Sequence, residues 1–152
     1  LYLDTSIINF AINEESSKER ETTLKLVNNI KKGEYEAFIS ELVSAEVDKA
    51  PQEIAVRLRS VIKEIDPEEL DINEDVKVLA DKYIEEGLIP VNYKNDAIHI
   101  AVASINYLDV IVSWNFEHIV KVKTRIGVRG INAIMGYRDI EIYSPLEVVK
   151  NV

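Results

Sequence analysis

At 152 residues, 47% of them hydrophobic and 30% charged, the chain has the size and balance of one soluble globular domain over 1–152. It contains no cysteine, which excludes disulfides, thiol catalysis and thiolate-zinc sites, and no apolar stretch approaches the roughly 20 residues of a membrane span. A net charge of −9 argues against a protein that coats nucleic acid over its whole surface. With no signal peptide visible, a cytoplasmic location is expected, and since the chain opens at Leu1 without Met, a residue or two is expected to precede it.

In chain order, residues 1–3 read as a short buried strand and 5–11 as a helix. Ser16 or Ser17 can cap a second helix through Lys32, which Gly33 ends. A strand at 35–39 hands over at Ser40 to a helix at 41–50, stopped by Pro51. Residues 52–65 continue as an amphipathic helix that Asp66 and Pro67 break, and 74–86 form another, closed by Gly87. Asn95 is expected to cap an apolar helix at 96–107, followed by a buried strand at 109–114. A short helix at 131–137 and a strand at 140–143 before Pro145 complete the pattern. Strands alternating with helices predict an α/β fold, three layers with a central parallel sheet of about four to five strands. No repeat, linker or low-complexity stretch marks a domain boundary.

Four residues put a carboxylate or amide where the local pattern calls for something apolar or neutral: Asp4, Glu46, Asp96 and Asn115. Asp4 ends the first strand, and Asn115 follows the strand-like run at 110–114, so both fall at the carboxyl ends of strands, where sites gather in such folds. Asp4 can also be read as a helix N-cap, although Thr5 and Ser6 would cap as well. Glu46 has Leu42, Val43 and Val47 beside it, which sets it in or beside a sheet-facing stripe; the alternative is a boundary residue whose head reaches water. Asp96 opens a helix that is apolar almost all round, and its alternative is an acid placed to suit the helix dipole. His99, one turn on, reads as a hydrogen-bonded core histidine, and Asn115 reads equally well as an ordinary loop residue. Several carboxylates aimed at one spot are prohibitive without a cation, and oxygen ligands from separate elements suit Mg²⁺ or Mn²⁺.

From Ile119 to Arg138 the chain carries Lys121, Lys123, Arg125, Arg129 and Arg138 and no acid, while acids concentrate at 14–21 and 62–86. Such a strip lets a phosphate backbone dock on one side, or serves as a solvated face. The apolar residues Ile7, Ile8, Phe10, Ala11 and Ile12 offer a partner surface or belong to the core.

Residues 1–6 (Leu-Tyr-Leu-Asp-Thr-Ser), 40–47 around Glu46, 95–101 around Asp96 and 112–116 around Asn115 resemble the PIN-domain family in order and context. The closing stretches at 130–137 and 140–147 resemble the C-terminal end of its stand-alone bacterial and archaeal members, which are related to toxin ribonucleases. The resemblance spans the whole chain and implies a PIN-like fold and a ribonuclease that hydrolyses RNA phosphodiesters with Mg²⁺ or Mn²⁺. Carried over by position, Asp4, Glu46 and Asp96 match the family's acidic triad. Asp4 and Asp96 are then direct ligands, Glu46 a ligand or the group that orients the attacking water, and Asn115 a water-mediated ligand. Asn115 stands where many members have a fourth acid, which lowers divalent affinity; Glu117 is close in sequence but is a weak substitute. Lys121, Lys123, Arg125 and Arg129 are the candidates for gripping the RNA backbone, while Trp114 and Phe116 are expected to pack in the core rather than stack on bases. The resemblance also implies a protein antitoxin over the acidic cleft and a homodimer or larger assembly.

Two other readings compete. One is a PIN-fold module without catalysis, which Asn115 and the acidic net charge favour. The other is a phosphotransfer enzyme using Asp4 as a covalent nucleophile, but such enzymes place a second Asp two residues later, where this chain has Ser6. Neither a Gly-rich loop nor a Walker lysine follows the first strand, which sets nucleotide binding aside.

Overall fold

In the computed structural model, which describes residues 1–150, five short parallel strands form one sheet. They are β1 (Tyr2–Leu3), β2 (Phe38–Ser40), β3 (Glu68–Leu70), β4 (Val110–Val112) and β5 (Glu141–Tyr143), in spatial order β3-β2-β1-β4-β5. Alternation along each strand divides the core. Tyr2, Ile111 and Ile142 point to one face, and Leu3, Val112 and Ile39 to the other.

The first face is covered by α5 (Glu74–Glu85), α6 (Lys94–Ile105) and α7 (Val122–Met135). The second is covered by α1 (Thr5–Ile12), α2 (Ser17–Lys31), α3 (Glu41–Asp48), α4 (Gln52–Ile65) and α8 (Pro145–Lys150). The result is the three-layer α/β/α architecture that the alternation of elements predicts. Ile7, Ile8 and Ala11 lie in the core, with Phe10 and Ile12 packed against it, so this segment is no free partner surface.

Four expectations need correction. The edge strand β3 went unread because Glu68 and Glu69 are exposed and give it no apolar signal. Asn95 does not cap the apolar helix: a 3-10 turn at Val91–Tyr93 leads straight into α6, and Tyr93 takes the cap position. The helix expected at 131–137 runs instead from Val122 to Met135, because Gly127, Gly130 and outward-facing isoleucines blur its inner stripe. The last helix, α8, begins at the Pro145 expected only to close a strand, a natural first-turn position for proline.

Because β1 pairs with both β2 and β4, the chain turns outward in opposite directions on either side of it. The crevice between β1 and β4 is therefore the topological switch point, where ligands bind in open α/β sheets. Among the described residues, no helix is long and apolar enough to cross a membrane.

Candidate functional site

Asp4 leaves β1 at this crevice and is buried, only 3% exposed. It takes the N-cap position of α1, yet its side chain makes no capping bond. Instead Oδ1 accepts from the Ser6 hydroxyl at 2.5 Å, and Oδ2 from the Ser113 hydroxyl, just past β4, at 2.5 Å. Burial pushes its carboxyl above the usual carboxylate range, with the charge of His99 and the two hydroxyls pulling the other way.

Glu46 reaches the same edge from α3, which starts directly after β2 with Ser40 as its cap. Its Oε1 accepts from the Thr5 hydroxyl at 2.9 Å and from His99 Nε2 at 3.1 Å. Burial alone would raise the Glu46 carboxyl, but the hydrogen bond and charge of His99, with the Thr5 hydroxyl, outweigh it and hold it below its ordinary value. His99 is the buried core histidine expected, and its Nδ1 shares a 2.7 Å hydrogen bond with the Tyr2 hydroxyl, which in turn bonds Ser40 at 2.9 Å.

Asp96 enters from the first turn of α6, one turn before His99. Its Oδ2 accepts from His118 Nδ1 at 3.0 Å, and the Tyr93 ring lies against that imidazole with centroids 4.0 Å apart. Asn115 shapes the loop that carries His118: its Oδ1 accepts the amides of Glu117 (3.2 Å) and His118 (2.9 Å), and its own amide donates to Ser113 Oγ at 2.9 Å. A chain of hydrogen bonds thus runs from Asp4 through Ser113, Asn115 and His118 to Asp96. The four predicted positions are brought to one edge, and the chain's only two histidines each hold one of the outer carboxylates.

His118 and the hydroxyls of Ser6 and Ser113 were missed in the sequence. Each is an unremarkable loop or helix-start residue, and the one available signal was that both histidines of the chain follow an acid closely. Trp114 packs as expected, its indole donating to Thr23 at 2.8 Å, but Phe116 is 51% exposed, edge-on to Trp114.

The basic residues do not form one surface here. Lys121 adjoins the site at the start of α7, but α7 runs away from this edge, and Arg129 lies eight residues on, about 12 Å along a helix. Arg125 pairs with Glu147 at 2.9 Å and Arg129 with Asp139 at 3.1 Å, while Lys123 bonds the Gly87 carbonyl at 3.3 Å. Arg138 sits at the opposite end of the sheet, paired with Asp109.

Among the described residues, no three Asp, Glu or His side chains converge, as placed, on a common metal position. The donor chemistry nonetheless suits a hard cation. Glu46 spends only Oε1 and Asp96 only Oδ2 on protein donors. No side-chain polar atom among the described residues is both buried and unpaired, so the second oxygen of each faces solvent.

No protein-family model matches this sequence, and no curated protein does. In three dimensions the chain is similar to one in the crystal structure of VapBC2 from Rickettsia felis bound to a DNA fragment from their promoter. The TM-score is 0.60 over 94% of this chain and 96% of that one, at 17% identity. Two chains this dissimilar in sequence share a fold. The likeness covers the whole α/β layer arrangement rather than a fragment of it.

Proposed function

We propose that this protein is a metal-dependent ribonuclease whose acidic edge holds Mg²⁺ or Mn²⁺ through Asp4, Glu46 and Asp96. The observation that carries the reading is the buried Asp4 carboxylate at the switch point, flanked by two carboxylates that each keep one oxygen free. Bound there, the ion would supply Lewis acidity toward a phosphoryl oxygen and activate water near neutral pH. The chain's own groups prepare the site: Ser6 and Ser113 fix Asp4, Thr5 and His99 fix Glu46, and His118 fixes Asp96. Asn115 serves by ordering the loop rather than through a free amide oxygen.

Lys121, beside the site, is the first candidate for a phosphate contact; Lys123, Arg125 and Arg129 follow at increasing distance along α7. Of these, Arg125 and Arg129 would have to leave their carboxylates. The structural neighbour comes from VapBC2 on promoter DNA, which supports the further reading of this chain as the toxin of a toxin–antitoxin pair, working in the cytoplasm with a protein antitoxin.

The test is cleavage of a pool of structured RNAs with Mg²⁺, Mn²⁺ or EDTA, comparing the protein with Asp4→Asn and Asp96→Asn. Metal-dependent cutting lost in both folded variants supports the reading. Cutting that survives in them assigns the activity elsewhere. The uncharged Asn115 favours a second reading, a PIN-fold binding module without catalysis. That reading predicts no cutting and no cation-induced stabilisation.

Asn115→Asp separates the two further. An aspartate can accept the same two amides while adding a charge to the edge, so Mn²⁺ affinity is expected to rise about tenfold, near 1.4 kcal/mol. Without the ion, the added repulsion should lower the melting temperature. Mn²⁺ titrations followed by thermal unfolding measure both, and an unchanged midpoint concentration would remove Asn115 from the cation's surroundings.

A further inference from the structure

Two aromatic rings stand half in solvent at the acidic edge, one toward each face of the sheet. Tyr93, 47% exposed, closes the 3-10 turn that leads into α6 on the first face, three residues before Asp96. Phe116, 51% exposed, rides on the turn that Asn115 orders. Each ring is braced from behind by a buried side chain. Tyr93 lies against His118. Phe116 stands edge-on to Trp114 with centroids 6.2 Å apart, and Trp114 packs in turn on Phe10 of α1, at 5.7 Å, in the core of the second face. A single exposed aromatic ring is ordinary on a protein surface. Two rings held in place at one edge, with the acids between them, call for a reason.

Charge offers little grip at this edge. The chain carries −9 overall, and Arg125 and Arg129 are already paired with Glu147 and Asp139. Only Lys121 and Lys123, at the start of α7, are without an ion pair among the basic residues considered there.

We propose that Tyr93 and Phe116 are stacking platforms that each take one unpaired base of the RNA, on either side of the bond to be cut. The strand is then gripped through its bases more than through its phosphates. The proposal rests on the ribonuclease reading of the acidic edge and adds to it how the substrate is held. An aromatic ring stacks on any base, since every base has a π-face, and reaches that face only where the base is out of a duplex. Stacking needs no countercharge, which suits a protein this acidic. Bracing matters as well: a ring fixed before binding loses little freedom on stacking, so more of the contact appears as affinity. With a base held on each side, the phosphate between them is brought to Asp4, Glu46 and Asp96 without a basic side chain having to stand there.

Binding of a labelled, unstructured RNA of about 12 nucleotides, followed by anisotropy with Ca²⁺ in place of Mg²⁺, tests the grip apart from cleavage. Tyr93→Leu and Phe116→Leu keep an apolar body over His118 and Trp114 but remove the π-face. Each should weaken binding about tenfold, and Tyr93→Trp and Phe116→Trp should restore it. RNA carrying abasic positions in place of the stacked bases should bind the unmodified protein and the Leu variants equally weakly, a non-additivity that mere damage to the fold would not produce. The same sequence in a duplex should bind at least about tenfold more weakly than the single strand. The logarithmic salt dependence should be shallower than about −2, since two lysines account for about −1.4. Leu variants that bind as the parent does, a duplex that binds as tightly, or a steeper salt dependence overturns the proposal. RNA that is cut while the Leu variants bind normally removes the stacking grip alone. RNA that shows the grip but is never cut with Mg²⁺ or Mn²⁺ removes the ribonuclease reading and keeps the grip, and RNA that does not bind at all removes both.

Discussion

Asp4→Asn is expected to make the protein inactive and more stable at once. The charge at Asp4 is buried, and its folded-state carboxyl is held above the ordinary value of 3.8. A carboxyl raised in this way binds its proton more readily folded than unfolded, so stability falls as pH rises from 3.8 through the folded value. Asparagine keeps the shape and removes the charge. One hydroxyl of Ser6 and Ser113 can still donate to its oxygen while the other turns to accept from its amide. The expected gain near pH 7 is about 1–2 kcal/mol, or roughly 2–8 °C in melting temperature.

RNA cleavage should fall at least about a hundredfold, more than the loss usual for a group one shell removed from a metal. Saturating Mn²⁺ should raise the melting temperature of the unmodified protein, by about 2.7 kcal/mol at a hundred times the dissociation constant, and leave the variant nearly unmoved. Two measurements carry the argument. Melting curves from pH 7 downward should show the variant's advantage closing as pH falls through the raised folded value toward 3.8, and a variant less stable than the parent at pH 7 would mean that the hydroxyls more than offset burial.

The sheet and its helices were legible where one physical signal dominated. Residues 52–65 read as a helix with the observed bounds because Leu58, Val61 and Ile65 repeat at helical spacing and Asp66-Pro67 stops them. Ile54, in the same helix, is exposed, because in the first turn it is Ala55 that faces the core. The elements that escaped lacked such a signal: β3 is held by backbone pairing with β2, whose register no side-chain pattern at Glu68–Leu70 announces. At the site, the acids were legible because a carboxylate amid apolar residues is costly and so demands a reason. The groups that satisfy them were not. Ser113, Thr5 and His118 are ordinary in their own segments, and their role appears only when β1, β4 and α6 are side by side. The basic strip shows the same limit in reverse, because residues close in sequence are spread along a helix that leaves the site.

His99→Ala is expected to cost about 2–4 kcal/mol, the largest loss of stability among single changes at this edge. His99 joins Ser40 and Tyr2 on one side to Glu46 and Thr5 on the other; the links among Ser40, Tyr2 and His99 are buried, and the two to Glu46 are part-buried. Truncation opens a cavity beside the Tyr2 ring, leaves the fully buried Tyr2 hydroxyl with Ser40 alone, and leaves Glu46 with Thr5 alone. Part of the cost should depend on pH in a definite direction. With His99 present, the Glu46 carboxyl is held below its ordinary value of 4.5, so its contribution is complete above that value and is lost as pH falls through the folded value. Without the imidazole, burial remains as the main influence and pushes the Glu46 carboxyl upward. The stability gap between parent and variant should therefore narrow on acidification below pH 4.5, which chemical denaturation at a series of pH values can follow. A gap that stays constant would mean that His99 acts by filling space. A gap that narrows would show that it fixes Glu46 through charge and hydrogen bonding, as a carboxylate poised to receive a cation requires.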